Sequence, residues 1–156
     1  MAKTLIRRAK QADFARLVVI DQASFPPGIS YDHAELSWFM KRTNAETIVL
    51  EHDREIAGFL IVEMNLRRSI ATMITLDVLE RFRRFGYGGR LVRRSEELLI
   101  RAGIKRYELQ VDVENEGAIA FYRKYGFRKA GTLKRYYPNG HDAYVMVKTL
   151  RASDEE

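Results

Sequence analysis

The 156-residue sequence has no cysteine, three prolines (positions 26, 27 and 138) and three histidines. Without cysteine there can be no disulfide and no thiolate metal site, and an intracellular compartment is the expectation. His33, His52 and His141 are scattered without metal-ligand spacing, and no Ser-His-acid set is visible. Neither a metal nor a covalent nucleophile is therefore expected. No Pro-rich linker, repeat or low-complexity tract divides the chain, which reads as one domain over residues 1–150 with a frayed acidic tail at 151–156. No apolar run approaches the ~20 residues of a membrane span, and "MAKTLIRRAK" lacks the apolar stretch of a secretion signal. The expected location is cytoplasmic, with no membrane partner.

What the chain does have is positive charge. Lys and Arg number 27 against 21 Asp and Glu, a net charge of +6, within an ordinary globular composition that is 46% hydrophobic. Such a balance suits nucleic acid, an acidic surface or an anionic cofactor, or simply a solvated basic surface. Its distribution is more informative: arginines cluster at 81, 83, 84, 90, 93 and 94 in "LERFRRFGYGGRLVRRSEELL", around Gly86, Gly88 and Gly89.

Periodicity and capping signals give the order β-α-α-β-β-β-α-β-α-β-β, a mixed α/β fold. "TLIRRA" reads as a first strand. Phe14, Leu17, Val18 and Asp21 share a helical spacing with Asp13 as N-cap, and Asp32 with Glu35 forms a capping box for "HAELSWFMK". "TIVLEHDREIAGFLIVEM" gives two strands about Asp53-Arg54, and "SIATMITLDVL" a third that runs into the glycine–arginine stretch. The helix "GRLVRRSEELLIRAG" pairs Glu97 with Arg101. After the strand "KRYELQVDV", Asn115 caps "EGAIAFYRKYG", and "FRKAGTLKRYY" and "DAYVMVKTL" close as a strand pair about "PNG". In such sheets ligands sit beyond the carboxyl ends of the parallel strands, where the arginines and glycines fall.

Glycines after a strand let the backbone turn tightly and present N–H groups, and the following helix aims its positive N-terminus at the same spot. Arg83 and Arg84 add donors suited to phosphate oxygens. The P-loop spacing is absent, and Leu91 stands where a dinucleotide fingerprint needs its third glycine. What fits is R-x-x-G-x-G in "RRFGYG". It resembles the acetyl-CoA pyrophosphate loop of the GNAT N-acetyltransferase superfamily, whose element order matches nearly the whole chain. "VENEGAIAFYRKYGF" resembles that superfamily's asparagine-helix-tyrosine segment. "LKRYYPNGHDAYVM" resembles the substrate hairpin of protein N-terminal acetyltransferases, the ribosomal-protein alanine N-acetyltransferase (RimI-like) group in particular.

The resemblance implies a sheet splayed between strands four and five, with acetyl-CoA as co-substrate and no metal. It implies backbone contacts from Val78 and Leu79 to the pantetheine arm, and a pyrophosphate site made by Arg83, Arg84, Gly86, Tyr87, Gly88 and Gly89. Asn115 would contact the cofactor arm or serve only as a helix cap. Tyr122 would protonate the departing thiolate, against a reading as a core aromatic. Phe25, Pro26, Tyr31, Tyr136 and Tyr137 would line the acceptor groove. The acceptor is then a protein or peptide N-terminus, a ribosomal protein among the candidates.

Two positions depart from the pattern. Glu80 replaces a common proline. More importantly, Gln110 stands where RimI-like enzymes place a general-base glutamate, five residues before the capping asparagine. An α-amine, with a pKa of about 7.7–8.0, is already partly neutral near pH 7.5, whereas a lysine amine near 10.4 is not. Gln110 thus favours a low-pKa acceptor, and strand alternation puts Glu108 and Asp112 on its face as relays through water or as surface ion pairs. The rival expectations are a small-amine acetyltransferase, a non-catalytic acetyl-CoA-binding module and, weakest, a nucleic-acid-binding protein.

Overall fold

The computed structural model describes residues 1–25 and 30–152. Its elements follow the expected order: β1 (Thr4–Arg8), α1 (Phe14–Ser24), α2 (His33–Lys41), β2 (Ala45–His52), β3 (Glu55–Asn65), β4 (Ile70–Val78), α3 (Tyr87–Arg101), β5 (Arg106–Asp112), α4 (Glu116–Lys124), β6 (Arg128–Leu133) and β7 (Ala143–Thr149). The strands form one sheet, β1-β2-β3-β4-β5-β7-β6, in which β4 and β5 are parallel and the other neighbours antiparallel. Of the terminal segment expected to fray, residues 153–156 lie outside the described residues. No described helix is long and apolar enough to cross a membrane.

Local chemistry explains most boundaries. The Asp32–Glu35 capping box forms as expected, each side chain accepting from the other's backbone N–H at 2.8 and 3.0 Å. The β2–β3 hairpin turns on Asp53 and Arg54, both at positive φ, as a two-residue turn requires. Three expectations need correction. Asp13 does not cap α1: a 3-10 turn at Gln11–Asp13 precedes the helix, and the Asp13 carboxylate binds the Lys10 N–H and the Arg7 guanidinium instead. Glu97 pairs with Arg94, one turn back, rather than with Arg101. The last hairpin is shorter than its alternation suggests, since β6 stops at Leu133 and both Tyr136 and Tyr137 fall in the connecting loop.

Helices cover both faces. α1 and α2 pack over one, where Leu17, Ile20 and Leu36 meet Val49, Phe59 and Ile61. On the other, Leu91 and Leu99 of α3 meet Leu60, Tyr107, Leu109 and Met146, with α4 packed alongside. Successive residues of β3 therefore serve opposite cores, Phe59 and Ile61 towards α1 and Leu60 and Val62 towards α3, so the strand reads as a continuous apolar run. Each such side chain removed from water contributes about 1.5–3 kcal/mol.

One irregularity positions everything near the site. Ile61 pairs with Thr75 but Val62 pairs with Met73, so Ile74 is an extra residue in β4. A bulge of this kind bends its strand and breaks the two-residue alternation. Ala71 and Met73 belong to the core beneath α3; beyond the bulge, Leu76 and Val78 take that side. Thr75 and Asp77 are thereby turned to the α1 face, where Thr75 meets Asp21. The parallel pairing to β5 ends at the same level, with Met73 opposite Leu109, and past it the two strands separate. Tyr31 occupies the bulge by donating its hydroxyl to the Ile74 carbonyl at 3.3 Å.

Gly58 of β3 permits this end of β4 to lie close. A Cβ on Gly58 would stand 2.6 Å from the Asp77 carbonyl oxygen and 3.2 Å from the Val78 Cα, both backbone atoms that cannot rotate away. Gly58→Ala is expected to cost about 1–3 kcal/mol, as overpacking does. Thermal melts should show a fall in Tm of roughly 2–4 °C per kcal/mol, and an unchanged Tm would mean that the strands are not held this tightly.

Candidate active site

Where β4 and β5 part, a cavity of about 820 Å³ opens, lined from both faces of the sheet. That volume accommodates an extended ligand. From the α3–α4 face come Gly86, Gly88 and Gly89 of the turn and helix start, with Asn115, Phe121 and Tyr122. From the α1–α2 face come Phe25, Tyr31, Asp77, Gln110, Tyr136 and Tyr137.

The glycine mouth presents backbone N–H groups at a helix start. Gly86 adopts φ +76, a left-handed conformation that lets the chain leave the 3-10 turn at Glu80–Phe85 and enter α3 directly. The Gly86 carbonyl takes the first helical bond from the Arg90 N–H, which leaves the N–H groups of residues 87–89 without helical partners at the positive end of a four-turn helix. Gly88 and Gly89 have a second reason to be glycine. A Cβ on Gly88 would press on Phe121 at 3.2 Å, and one on Gly89 would collide with the Tyr125 hydroxyl at 1.9 Å, so α4 docks directly on the start of α3.

Other residues expected at this mouth are placed differently. The Tyr87 side chain is buried away from the cavity, its hydroxyl 2.6 Å from His52 Nδ1 and its ring stacked on Phe85, so only its backbone can face an anion. Arg83 lines the cavity, but its Nε donates to the Val78 carbonyl at 2.9 Å, the group expected to serve the pantetheine arm. Arg84 is exposed and off the cavity wall. Leu79 is also off it: its N–H donates to Ala57 and its carbonyl accepts from Phe82, so both backbone groups are already engaged. Asn115 caps α4 by accepting the Ala118 N–H at 3.1 Å and lines the cavity as well.

Tyr122 projects from α4 towards the gap, and burial pushes its phenol well above its ordinary pKa, so it holds a proton at neutral pH. On the α1 side, the rings of Tyr136 and Tyr137 meet edge to face at 4.9 Å, and both line the cavity. Adjacent residues of a strand would face opposite sides, but both tyrosines lie in the loop after β6, where both can face inwards. Phe25 closes the end of α1, and Pro26 lies outside the described residues.

The carboxylates separate into two groups. Glu108 shares the Gln110 face but bonds to Arg106 and does not reach the cavity, which removes it as a proton relay. Asp112 lines the cavity with both oxygens engaged, Oδ1 by the Glu114 N–H at 2.9 Å and Oδ2 by His141 Nδ1 at 2.7 Å. That bond, with carboxylates around it, raises the His141 pKa and favours the imidazolium. Asp77, by contrast, is 1% exposed, accepts from Thr75 at 2.6 Å through Oδ1, and has no partner for Oδ2. Asp21 stands next to it, accepting the Tyr31 N–H at 2.6 Å. Burial, and then the nearby Asp21 carboxyl, push the Asp77 carboxyl well above the usual carboxylate range. Neither aspartate was singled out as a site residue from the sequence, although Asp21 sits in an otherwise apolar helical stripe.

Comparison with known proteins agrees with this geometry. Residues 14–127 match the model of the acetyltransferase (GNAT) family. An N-alpha-acetyltransferase of Sulfurisphaera tokodaii is 28% identical over an alignment covering 93% of this chain and 92% of that protein. The crystal structure of Ard1 from Thermoplasma volcanium superposes with a TM-score of 0.88 at 26% identity, covering 96% of this chain and 99% of that one. The ribosomal-protein-S18-alanine N-acetyltransferase of Escherichia coli shares the fold, with a TM-score of 0.85 at 23% identity over 99% of both chains. A match spanning most of the chain, on a sheet that parts at β4 and β5 above a glycine–arginine turn, has one reading: the chain belongs to the acetyltransferase (GNAT) family.

Proposed function

We propose that this protein transfers an acetyl group from acetyl-CoA to the α-amine of a protein or peptide N-terminus, ribosomal proteins among the candidate acceptors. The observation that carries the reading is a single cavity reached from both faces of the sheet, cationic and glycine-lined on one side, aromatic and acidic on the other. On the first, the free N–H groups of residues 87–89 and the Arg83 guanidinium suit a pyrophosphate. On the second, Phe25, Tyr31, Tyr136 and Tyr137 offer a groove for the first residues of a peptide. Similarity to an N-alpha-acetyltransferase over nearly the full chain supports the same acceptor class.

The residues divide the work. The Val78 carbonyl is exchangeable, since only the Arg83 side chain must swing away for an amide of the pantetheine arm to take its place. Tyr122, protonated at neutral pH and facing the gap, gives its proton to the thiolate as the carbon–sulfur bond breaks. The amine attacks from the opposite side, so proton removal and proton delivery take place on different faces of the sheet.

A thiol-release assay with acetyl-CoA tests the reading. Peptides with free N-termini should turn over faster than lysine side chains, polyamines or amino sugars, with rates rising through the α-amine ionisation at about 7.7–8.0. Equal rates for lysine side chains at pH 7 would refute the acceptor assignment. Acetyl-CoA at a hundredfold excess over Kd should protect the fold by about 2.7 kcal/mol. Gly88→Val, which adds a side chain at the cavity wall against Phe121, should lose most of that protection; full protection would place the cofactor elsewhere. Tyr122→Phe should lower kcat ~10²-fold while keeping the protection, and unchanged turnover would make Tyr122 a packing residue.

A further inference from the structure

The acceptor amine must lose a proton, and the position five residues before Asn115, facing the α1 side of the gap, carries the neutral amide of Gln110. On the β4 side of the gap and facing the same way, Asp77 also lines the cavity. We propose that Asp77 is the catalytic base, taking the acceptor's proton on its carboxylate, and that Asp21 and Thr75 position it. The proposal rests on the acetyl-transfer reading and deepens it by naming the group that replaces a base on β5.

Four observations carry it. First, Asp77 lines the cavity while being almost fully buried, and its Oδ2 has no donor among the described residues. A carboxyl oxygen left unpaired in a buried site is costly, and an amine arriving from the cavity would supply the missing donor. Second, Thr75 holds Oδ1 at 2.6 Å and stands 3.4 Å from Asp21 Oδ1, so one hydroxyl ties the two aspartates together. Third, the Ile74 bulge turns Thr75 and Asp77 to the acceptor side; in regular alternation they would lie under α3 with Met73. Fourth, Glu108 is committed to Arg106 away from the cavity and Asp112 to the Glu114 N–H and His141, while the Glu114 carboxylate, also on the cavity wall, is exposed and stands 3.6 Å from His141 Nε2.

The charged and titratable groups facing Asp77 are consistent with a base. Burial, and then Asp21 on α1, raise its proton affinity, while Thr75 beside it and Arg83 after β4 moderate the rise. Tyr122 on α4 also faces Asp77, and Tyr31 before α2 stands against Asp21, both phenols held neutral by burial. A carboxyl shifted upwards is a better match to an amine than an ordinary one, because base strength approaches that of the group it deprotonates. In the reaction the nitrogen lone pair forms the bond to the acetyl carbon as its proton passes to Asp77. The carbon–sulfur pair leaves on sulfur, which takes the Tyr122 proton. Solvent then removes the proton from Asp77 and restores that of Tyr122, so atoms and charge balance.

The test compares the full-length wild type with Asp77→Asn, Asp112→Asn and Glu108→Gln, by thiol release from pH 6 to 9.5 and by thermal melts without ligand over the same range. Asp77→Asn should lower kcat/KM ~10²-fold or more near pH 7, with partial recovery at high pH as the free amine accumulates. Glu108→Gln should match the wild type. The melts give a readout independent of turnover. A carboxyl whose folded pKa is raised contributes stability in acid that is lost as pH climbs from the ordinary carboxylate value through the raised one. Asp77→Asn should therefore melt higher than the wild type at neutral and alkaline pH, and the gap should narrow towards acid. Wild-type kcat/KM in a folded Asp77→Asn variant, a loss that is flat across pH, or a larger loss in Asp112→Asn would each overturn the proposal. Should the wild type acetylate only small amines, the N-terminal reading fails and Asp77 is judged on those amines by the same profile. Turnover of no primary amine at all would sink both.

Discussion

A single extra residue in one strand organises this site. With Ile74 inserted, β4 can no longer follow both neighbours: it stays paired with β3 and leaves β5 after Met73. The gap, the reversal of side-chain phase and the placement of Thr75 and Asp77 all follow from that residue. The bulge is supported from both sides. Tyr31 satisfies the displaced Ile74 carbonyl from the acceptor side. Gly58 admits the end of β4 from the sheet side, where any Cβ would strike backbone. Bulges re-aim side chains next to functional sites, and here the two re-aimed residues are the polar ones.

Charge is divided across the same gap. Arginine and a helix N-terminus crowd the α3 mouth, while Asp21, Asp77 and Asp112 and three tyrosines occupy the α1 side. The two sides of the cavity therefore differ in charge, positive by the start of α3 and negative towards α1. Burial raises the proton affinity of both Asp77 and Tyr122, so one physical cause shifts the two groups in the same direction.

Much of this was legible in the sequence. The Asp32–Glu35 box, the Asn115 cap and the period changes located the elements, and the glycine–arginine spacing located one wall of the cavity. What stayed hidden depends on register. Strict alternation sets Met73, Thr75 and Asp77 on one face, and no side-chain pattern announces the bulge that separates them. Tyr136 and Tyr137 looked like a strand because aromatic residues favour strands, yet the chain had already entered a loop. Asp13 was read as a cap because aspartate there is usually one, but Arg7 from the neighbouring strand competes for its carboxylate. Leu79, Tyr87 and Glu108 sat at suitable positions, but backbone pairing, the half-buried His52 and a neighbouring arginine had already engaged them.

The short β4–β5 pairing has a consequence for how the polypeptide is partitioned. Only four residue pairs, from Ile70 opposite Arg106 to Met73 opposite Leu109, join the ladder of β1–β4 to that of β5–β7. Each ladder is contiguous in sequence, and the chain passes between them once, through α3 and the turn at 102–105. A backbone cut in that turn would leave both ladders whole. The two ladders are thus joined by a short backbone seam and by the core they share beneath α3, and the cavity opens where the seam ends.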